Sequence, residues 1–583
     1  MPRAAIAFGS AEQRSRALDG ATLINLYPEI PPIGARAPAL VIGQNNPLKA
    51  VLYGTPGLKR TYRAGTGRIR AVREALGYLW VLSGQQLWRV ASDGTKVLCT
   101  GDVIEPSGDA MMSDNGRQLA ILANGKTYIV GTTYARASFK ITGGTFEAGT
   151  NEISDITVNS VSILTNPVNW AVSNASTAAD VVEEINDTQT DYLASSEGNV
   201  ISLQATMGGV NPNGYVVAVT VAGDVRVNRA STVMDGGETV ETTVTLVESG
   251  YPDDGATSID YSDGYFVWSQ ADSAQFFLCD LYNGTVIDPL DFATAESDPS
   301  DLLRVIVSHR ELVLLKKTRI EVWANTGAFP FPYERIPGAV IERGTAAGLS
   351  AAKLDSSVFW LGDDRIVYRS QGYQPIRISE HWLEEAIRTG DVSDAFGMTY
   401  SQGGHTFYIL TFPTLGFTVA YDAVTTKWHH RQSGTSLDKA VWRVNCLAVA
   451  FGKVFAGTDN GHVCEVDMDT YVEAGDAIRR VGRTPPLFGE GKRVRMTEVE
   501  LECELGVGRT SGQGLAPEVV LRWSDDGGKS WGNERRADLG ATGQTGSRAL
   551  FRRLGSFRQR TLEFASSDPV KQAWYGFRVE IGP

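Results

Sequence analysis

The chain has 583 residues, a formal net charge of −13, 42% apolar residues and 21% charged residues. A length beyond what one hydrophobic core serves predicts about two to four domains, and the composition excludes an intrinsically disordered chain. The acidic balance excludes a protein that grips DNA through a basic field, while leaving room for DNA to slide past.

The N-terminal stretch MPRAAIAFGSAEQRSRALDG lacks a long apolar segment of the signal-peptide kind, and no apolar run reaches membrane-span length. Synthesis and folding in the reducing cytosol of the producing cell are therefore expected. Residues 1–66 read as an extended arm and lead-in. From there the chain carries pairs of apolar runs joined by short turns: GYLWVLSGQQLWRVASDG (77–94) and GRQLAILANGKTYIVG (116–131) in a first part spanning 67–140. The pattern resumes over 251–477 with DGYFVWSQADSAQFFLCDLYNG (263–284), HRELVLLKKTRIEVWANTG (309–327), DSSVFWLGDDRIVYRSQG (355–372), GGHTFYILTFPTLGFTVAYD (403–422) and FGKVFAGTDNGHVCEVD (451–467). Each reads as a β-hairpin, and outside one interruption the hairpins recur at about 35–50 residues, the range of propeller blades. A hairpin alone cannot bury both faces, whereas radial stacking does, so a β-propeller of about six to eight blades is expected.

The interruption, 141–250, contains strand-like DITVNSVSILT (155–165), NVISLQATM (199–207) and YVVAVTVAG (215–223). Between the first two, SNASTAADVVEEIND (173–187) reads as a helix with Ser176 as N-cap and Ala178, Val181, Val182 and Ile185 on one face. A small inserted α+β domain is predicted, suited to attachment or packing. SEHWLEEAIRTG (379–390) predicts a second helix with Trp382, Leu383, Ala386 and Ile387 as its apolar stripe. Residues 478–583 leave the hairpin rhythm and read as a separate C-terminal β-sandwich-like domain.

Near that end stands SDDGGKSW (524–531). Gly528 to Gly532 fits the G-x-S-x-G elbow, but a serine-hydrolase elbow needs a following helix and a later histidine, and the last histidine is His462. A phosphate loop needs glycine where Trp523 stands. The Asp-box pattern of sialidases and other propellers fits: Asp526 accepts from turn amides, Ser524 holds the turn, Gly528 supplies the unusual φ and Trp531 opens the return strand and packs beneath. That role is architectural, so no catalytic, metal-binding or cofactor-binding residue is assigned and no cofactor is expected. Tyr333-Glu334-Arg335-Ile336-Pro337 is similar to the sialidase Arg-Ile-Pro motif but lies mid-chain. Asp253-Asp254, Asp363-Asp364 and Glu384-Glu385 read as solvated pairs, and His429-His430 as a surface or packing pair without a third metal ligand. Cys99, Cys279, Cys446, Cys464 and Cys503 are scattered and read as buried free thiols. The basic stretch RRLGSFRQR (552–560) reads as a contact for DNA or an acidic partner, or as salt bridging at a subunit interface.

INLYPEIPP (24–32), GTPGLKR (54–60), the hairpins, and then VELECELGVG, PEVVLRWSDDGGKSW and RRLGSFRQRTLEFASSDPV follow one another along the chain. In that order they resemble the tail hub, or nozzle, proteins of short-tailed bacteriophages, also called packaged-DNA stabilisation proteins; the insert is the departure from the pattern. The resemblance implies a structural protein of the virion tail, not an enzyme, without a small-molecule substrate. It implies a ring, commonly of six subunits, below the portal and adaptor of the head connector. Such a ring extends the DNA channel, helps retain packaged DNA, gates its ejection and offers an outer surface to tail fibres or spikes. Double-stranded DNA would pass transiently, without sequence-specific binding. The alternative is a glycan-active or glycan-binding sialidase-like β-propeller, which predicts converging Arg, Tyr and acidic residues in a pocket.

Overall fold

The computed structural model describes the chain apart from residues 1–2, 8, 11–19, 31–49, 132–134, 148, 207–211, 236–241, 329–330, 490 and 583. Pro31 and Pro32 of INLYPEIPP, Met207 of NVISLQATM, and much of the N-terminal stretch read for a signal peptide therefore lie outside the described residues.

Among the described residues, seven four-stranded blades form a propeller. Blade one comprises Ile69–Ala75, Tyr78–Ser83, Gln86–Val90 and Lys96–Leu98. Blades three to six occupy 256–294, 302–341, 352–377 and 396–431 without interruption. All seven predicted hairpins supply the two middle strands of a blade. Asn124-Gly125 turns the middle hairpin of blade two with positive φ at both residues (49° and 81°), and His309-Arg310, which joins the first and second strands of blade four, does the same without glycine (φ 53° and 65°).

Strand alternation explains the ring. On Tyr78–Ser83, Trp80 and Leu82 pack towards blade two, while Leu79 and Val81 pack against Phe455 and Val463 of blade seven. Likewise Leu312 and Leu314 of blade four face blade three, and Leu315 faces Trp360 of blade five. Each pair of neighbouring blades thus shares one apolar core, and the cores close into a cycle.

Blade two is split. Its first three strands, Ala110–Asp114, Gln118–Ala123 and Lys126–Gly131, are completed by Thr243–Leu246, which pairs beside the third. The expected insert boundaries, 141 and 250, therefore shift: Thr243–Leu246 belongs to the blade, and Arg136–Gly143 belongs to the insert. Among the described residues the insert has two sheets, a single helix α1 (Asn174–Thr188), and a core drawn from residues between Ala135 and Met234. Its two ends meet where Arg136 and Asp235 exchange backbone hydrogen bonds of 2.8 and 3.0 Å. The N-cap of α1 is Ser173, not Ser176. Ser176 sits three residues on and reciprocates, its hydroxyl accepting from the Ser173 amide at 2.9 Å. Ala178, Val181 and Ile185 are buried, and Val182 only partly.

The described residues of 1–66 are woven into both domains, and the C-terminal β-sandwich domain shares a sheet with the propeller. Thr22–Ile24 pairs with Arg480–Arg483 and, in parallel, with His430 of blade six, making one sheet continuous from propeller to sandwich. Leu26–Glu29 and Val51–Gly54 enter the other sandwich sheet beside Ala573–Gly582. Gly57–Arg63 then becomes the outermost strand of blade seven, antiparallel to His462–Asp467. An edge that three strands would leave bare is thereby covered by chain some 400 residues away. The second helix, α2 (His381–Ile387), buries Trp382, Leu383 and Ile387, while Ala386 faces outward.

Candidate functional site

The turn after strand Glu518–Ser524 is built by its own side chains. The Ser524 hydroxyl donates to Asp526 Oδ1 at 2.7 Å and accepts from the Gly528 amide at 2.7 Å. Asp526 also accepts from the Lys529 amide at 2.9 Å, the Ser530 amide at 2.9 Å and the Ser530 hydroxyl at 2.5 Å. The Ser530 hydroxyl and amide, with Ser524, hold this exposed carboxyl well below the usual carboxylate range. The Ser530 hydroxyl is spent on Asp526, and the bonds that hold the turn also lower the basicity of that carboxylate, so the pair serves the turn. Both Gly527 (φ 76°) and Gly528 (φ 85°) are left-handed, one more than expected. Trp531 does not open the return strand, which starts at Arg535. The guanidiniums of Arg483 and Arg522 lie over its ring, 4.7 and 4.8 Å from the centroid.

Those two arginines lead inward. Glu563, 1% exposed, takes Arg522 at 2.6 Å, Arg483 at 2.7 Å and Arg479 at 3.3 Å. Burial pushes its carboxyl up, but Arg522 and Arg483 outweigh this and hold it below its usual value. The basic stretch 552–560 serves the same scaffold. Arg560 is buried and grips Asp525 through two bonds of 2.7 Å, and Arg552 pairs with Glu498 at 3.0 Å. Arg553 and Arg558 remain exposed.

The other candidates separate. Tyr333 to Pro337 lies on the outermost strand of blade four, with Tyr333 buried and donating to Ser262 O at 3.1 Å. Asp253-Asp254 and Asp363-Asp364 are in turns, and Glu384-Glu385 is on α2. His429 and His430 are not on the surface: they are 0% and 2% exposed, and His429 packs edge-on against Phe407. Among the described residues no cluster of His, Cys, Asp and Glu could hold a metal, and no helix is long and apolar enough to cross a membrane. The five thiols are free; Cys279 and Cys464 are buried, the other three only half-buried.

Sequence reading passed over Asn25, the residue that joins the two domains. It is 1% exposed with φ 53°, and its Nδ2 donates to Gln432 O and Arg479 O, both at 2.9 Å. Its Oδ1 accepts from the Gln432 amide at 3.0 Å. A lone asparagine between apolar runs, in LINLYP, was the available signal.

A propeller and a sandwich sharing strands, with a terminal turn whose polar groups satisfy one another, define a structural β-protein. The family described as "Bacteriophage P22 Gp10, beta-propeller" matches residues 204–471, and "Bacteriophage P22 Gp10, beta-sandwich" matches 479–582. The chain belongs to this family of non-enzymatic phage tail proteins, the tail hub or packaged-DNA stabilisation proteins. Blade one and most of blade two precede the first match. No curated protein matches the chain. Among solved structures, it is similar to a streptogramin B lyase (8% identity, 70% of this chain and 95% of that one, TM-score 0.34). Others are apo AztD from Citrobacter koseri (12%, 70% and 95%, TM-score 0.27) and an exo-beta-1,3-galactanase from Phanerochaete chrysosporium (10%, 55% and 95%, TM-score 0.22). These likenesses are remote.

Proposed function

We propose that this phage tail protein forms the hub ring below the head connector, a closed ring of identical subunits, commonly six, that extends the DNA channel, helps retain packaged DNA and gates its ejection. The observation that carries this reading is the family match over both the propeller and the sandwich. A ring requires head-to-tail interfaces that close. The net charge of −13 favours passage of DNA over adhesion, since attractive phosphate contacts would slow a sliding duplex. Strands shared between propeller and sandwich suit a part that must carry load without its domains parting. The insert, with its own core and adjoining ends, is suited to an external contact such as a fibre or spike. The protein would be made in the host cytoplasm and assembled into the virion tail.

Native mass measurement of the purified chain, alone and with the connector protein of its phage, tests this. Ring formation on the connector is expected, with or without rings of the chain alone. A chain that stays monomeric and never associates with the connector would overturn the reading.

A further inference from the structure

The innermost strands of every blade but the third line an axial cavity of about 370 Å³, at the small end of ligand pockets. In a chain of net charge −13, the charged residues lining it are Arg68, Arg70, Arg73, Arg304 and Lys353 against one acid, Asp109. Four of the five cations have partners. Arg68 lies 3.4 Å from Asp459, Arg73 bonds Asp114 at 2.7 Å, and Lys353 lies 3.3 Å from Asp260. Arg70 donates to the carbonyls of Gly84, Glu105, Ser107 and Gly108, tying blade one to the loop before blade two.

Arg304 differs. It follows a β-bulge between Leu302 and Arg304 on the innermost strand of blade four, a device that re-aims side chains. Its Nε is enclosed and has no hydrogen-bond partner among the described residues. Asp260, the acid that acts on it through space, has its oxygens engaged by the amides of Tyr261 and Val307 and by Lys353. Burial lowers the pKa of the guanidinium, with Asp260 acting in the opposite sense. A guanidinium whose Nε is buried without a partner, and whose nearest acid is engaged elsewhere, is short of hydrogen bonds that a ligand in the cavity can supply. Its planar fork matches an oxyanion.

We propose that the axial cavity binds a small multivalent oxyanion of the phosphate class, seated on Arg304 with Lys353 beside it. This assignment is independent of the role in the tail. The size of the cavity restricts the occupant to a small molecule, and the acidic chain around it makes recognition depend on contact inside the cavity rather than on long-range attraction.

The test is calorimetric titration of the full chain with inorganic phosphate and pyrophosphate, paired with thermal unfolding. Saturable one-to-one binding and a rise in Tm are expected. Arg304→Met should bind at least about tenfold more weakly yet, without anion, melt no lower than the wild type, because a buried Nε without a hydrogen-bond partner is gone. Arg304→Lys, which keeps the charge and loses the fork, should fall between them and serves if the methionine variant does not fold. Arg310→Ala, at an exposed residue paired with Asp263 at 2.7 Å, should bind as the wild type does. Absent binding, or binding unchanged in both Arg304 variants, overturns the proposal. So does a duplex oligonucleotide that binds competitively with phosphate through Arg304, since that would make the nucleic-acid backbone the ligand.

Discussion

His429 is a neutral imidazole walled in by Tyr27 and Phe407, and its neighbours determine how the protein meets acid. Burial, then Arg431 and His430, push its pKa well below the ordinary histidine value. The unfolded chain therefore binds a proton below about pH 6.5 that the native state refuses, and stability falls with pH by about 1.4 kcal/mol per unit there. His405 works in the opposite sense: its 2.7 Å bond to Asp422 raises its pKa, so its contribution is full below about pH 6.5 and fades as pH rises through the folded value. His429→Phe should flatten the acid limb of a urea-denaturation series between about pH 5 and 7, whereas His405→Gln should lower stability most at the acid end. Asn25 governs a different property. Asn25→Ala strands two carbonyls and an amide in the interior and keeps a β-carbon at positive φ, so denaturation should show a loss of about 3–5 kcal/mol. Asn25→Gly should recover about 1 kcal/mol of it, the backbone share alone.

Elements differ in how far their own residues specify them. The middle hairpin of each blade was legible because turn and alternation are both local: Asn124-Gly125 announces the bend, and Trp80 and Leu82 alternate with Leu79 and Val81. The outer strands were not. Lys96–Leu98 is short and wholly exposed, and Gly57–Arg63 shows two buried residues and then five exposed or half-buried ones. What makes them strands is a partner, and for Gly57–Arg63 that partner is distant in sequence. The same distinction divides the candidate site. Ser524, Asp526 and Ser530 bond one another within a few residues, so the turn could be read from the chain. The exposure of Arg304 to the axial cavity depends on a bulge and on strands from other blades, which LLRVIV by itself does not disclose. The insert is the element most nearly self-sufficient. Ile185→Ala removes a fully buried side chain from its core at a cost of about 2–4 kcal/mol. Hydrogen exchange should report that loss in peptides from 135–234 and leave the blade hairpins protected as before.

At the scale of the whole molecule, two connections have opposite characters. The insert leaves and re-enters blade two at neighbouring points, Arg136 and Asp235. Replacing residues 136–235 by a short Gly-Ser linker should therefore leave the propeller folded, with β-rich circular dichroism and a main unfolding transition within a few degrees of the parent. The external contact proposed for the insert would be lost with it. The N-terminal segment offers no such freedom, since Leu23, Leu26 and Leu52 lie in the sandwich core and Leu58 in the core between blades six and seven. That placement bears on time as well as on strength. Gly57–Arg63 leaves the ribosome early, and the strand it pairs with, His462–Asp467, follows some 400 residues later. At about 5–20 residues per second, the interval is of the order of 20–80 s. Throughout it Leu58 and its neighbours have no permanent seat, and the first blade has no neighbour on its open side. The newborn chain must be kept from pairing with another copy of itself until its last blade arrives. Where many copies emerge together, that wait makes crowding on the ribosome a hazard that the finished fold no longer displays.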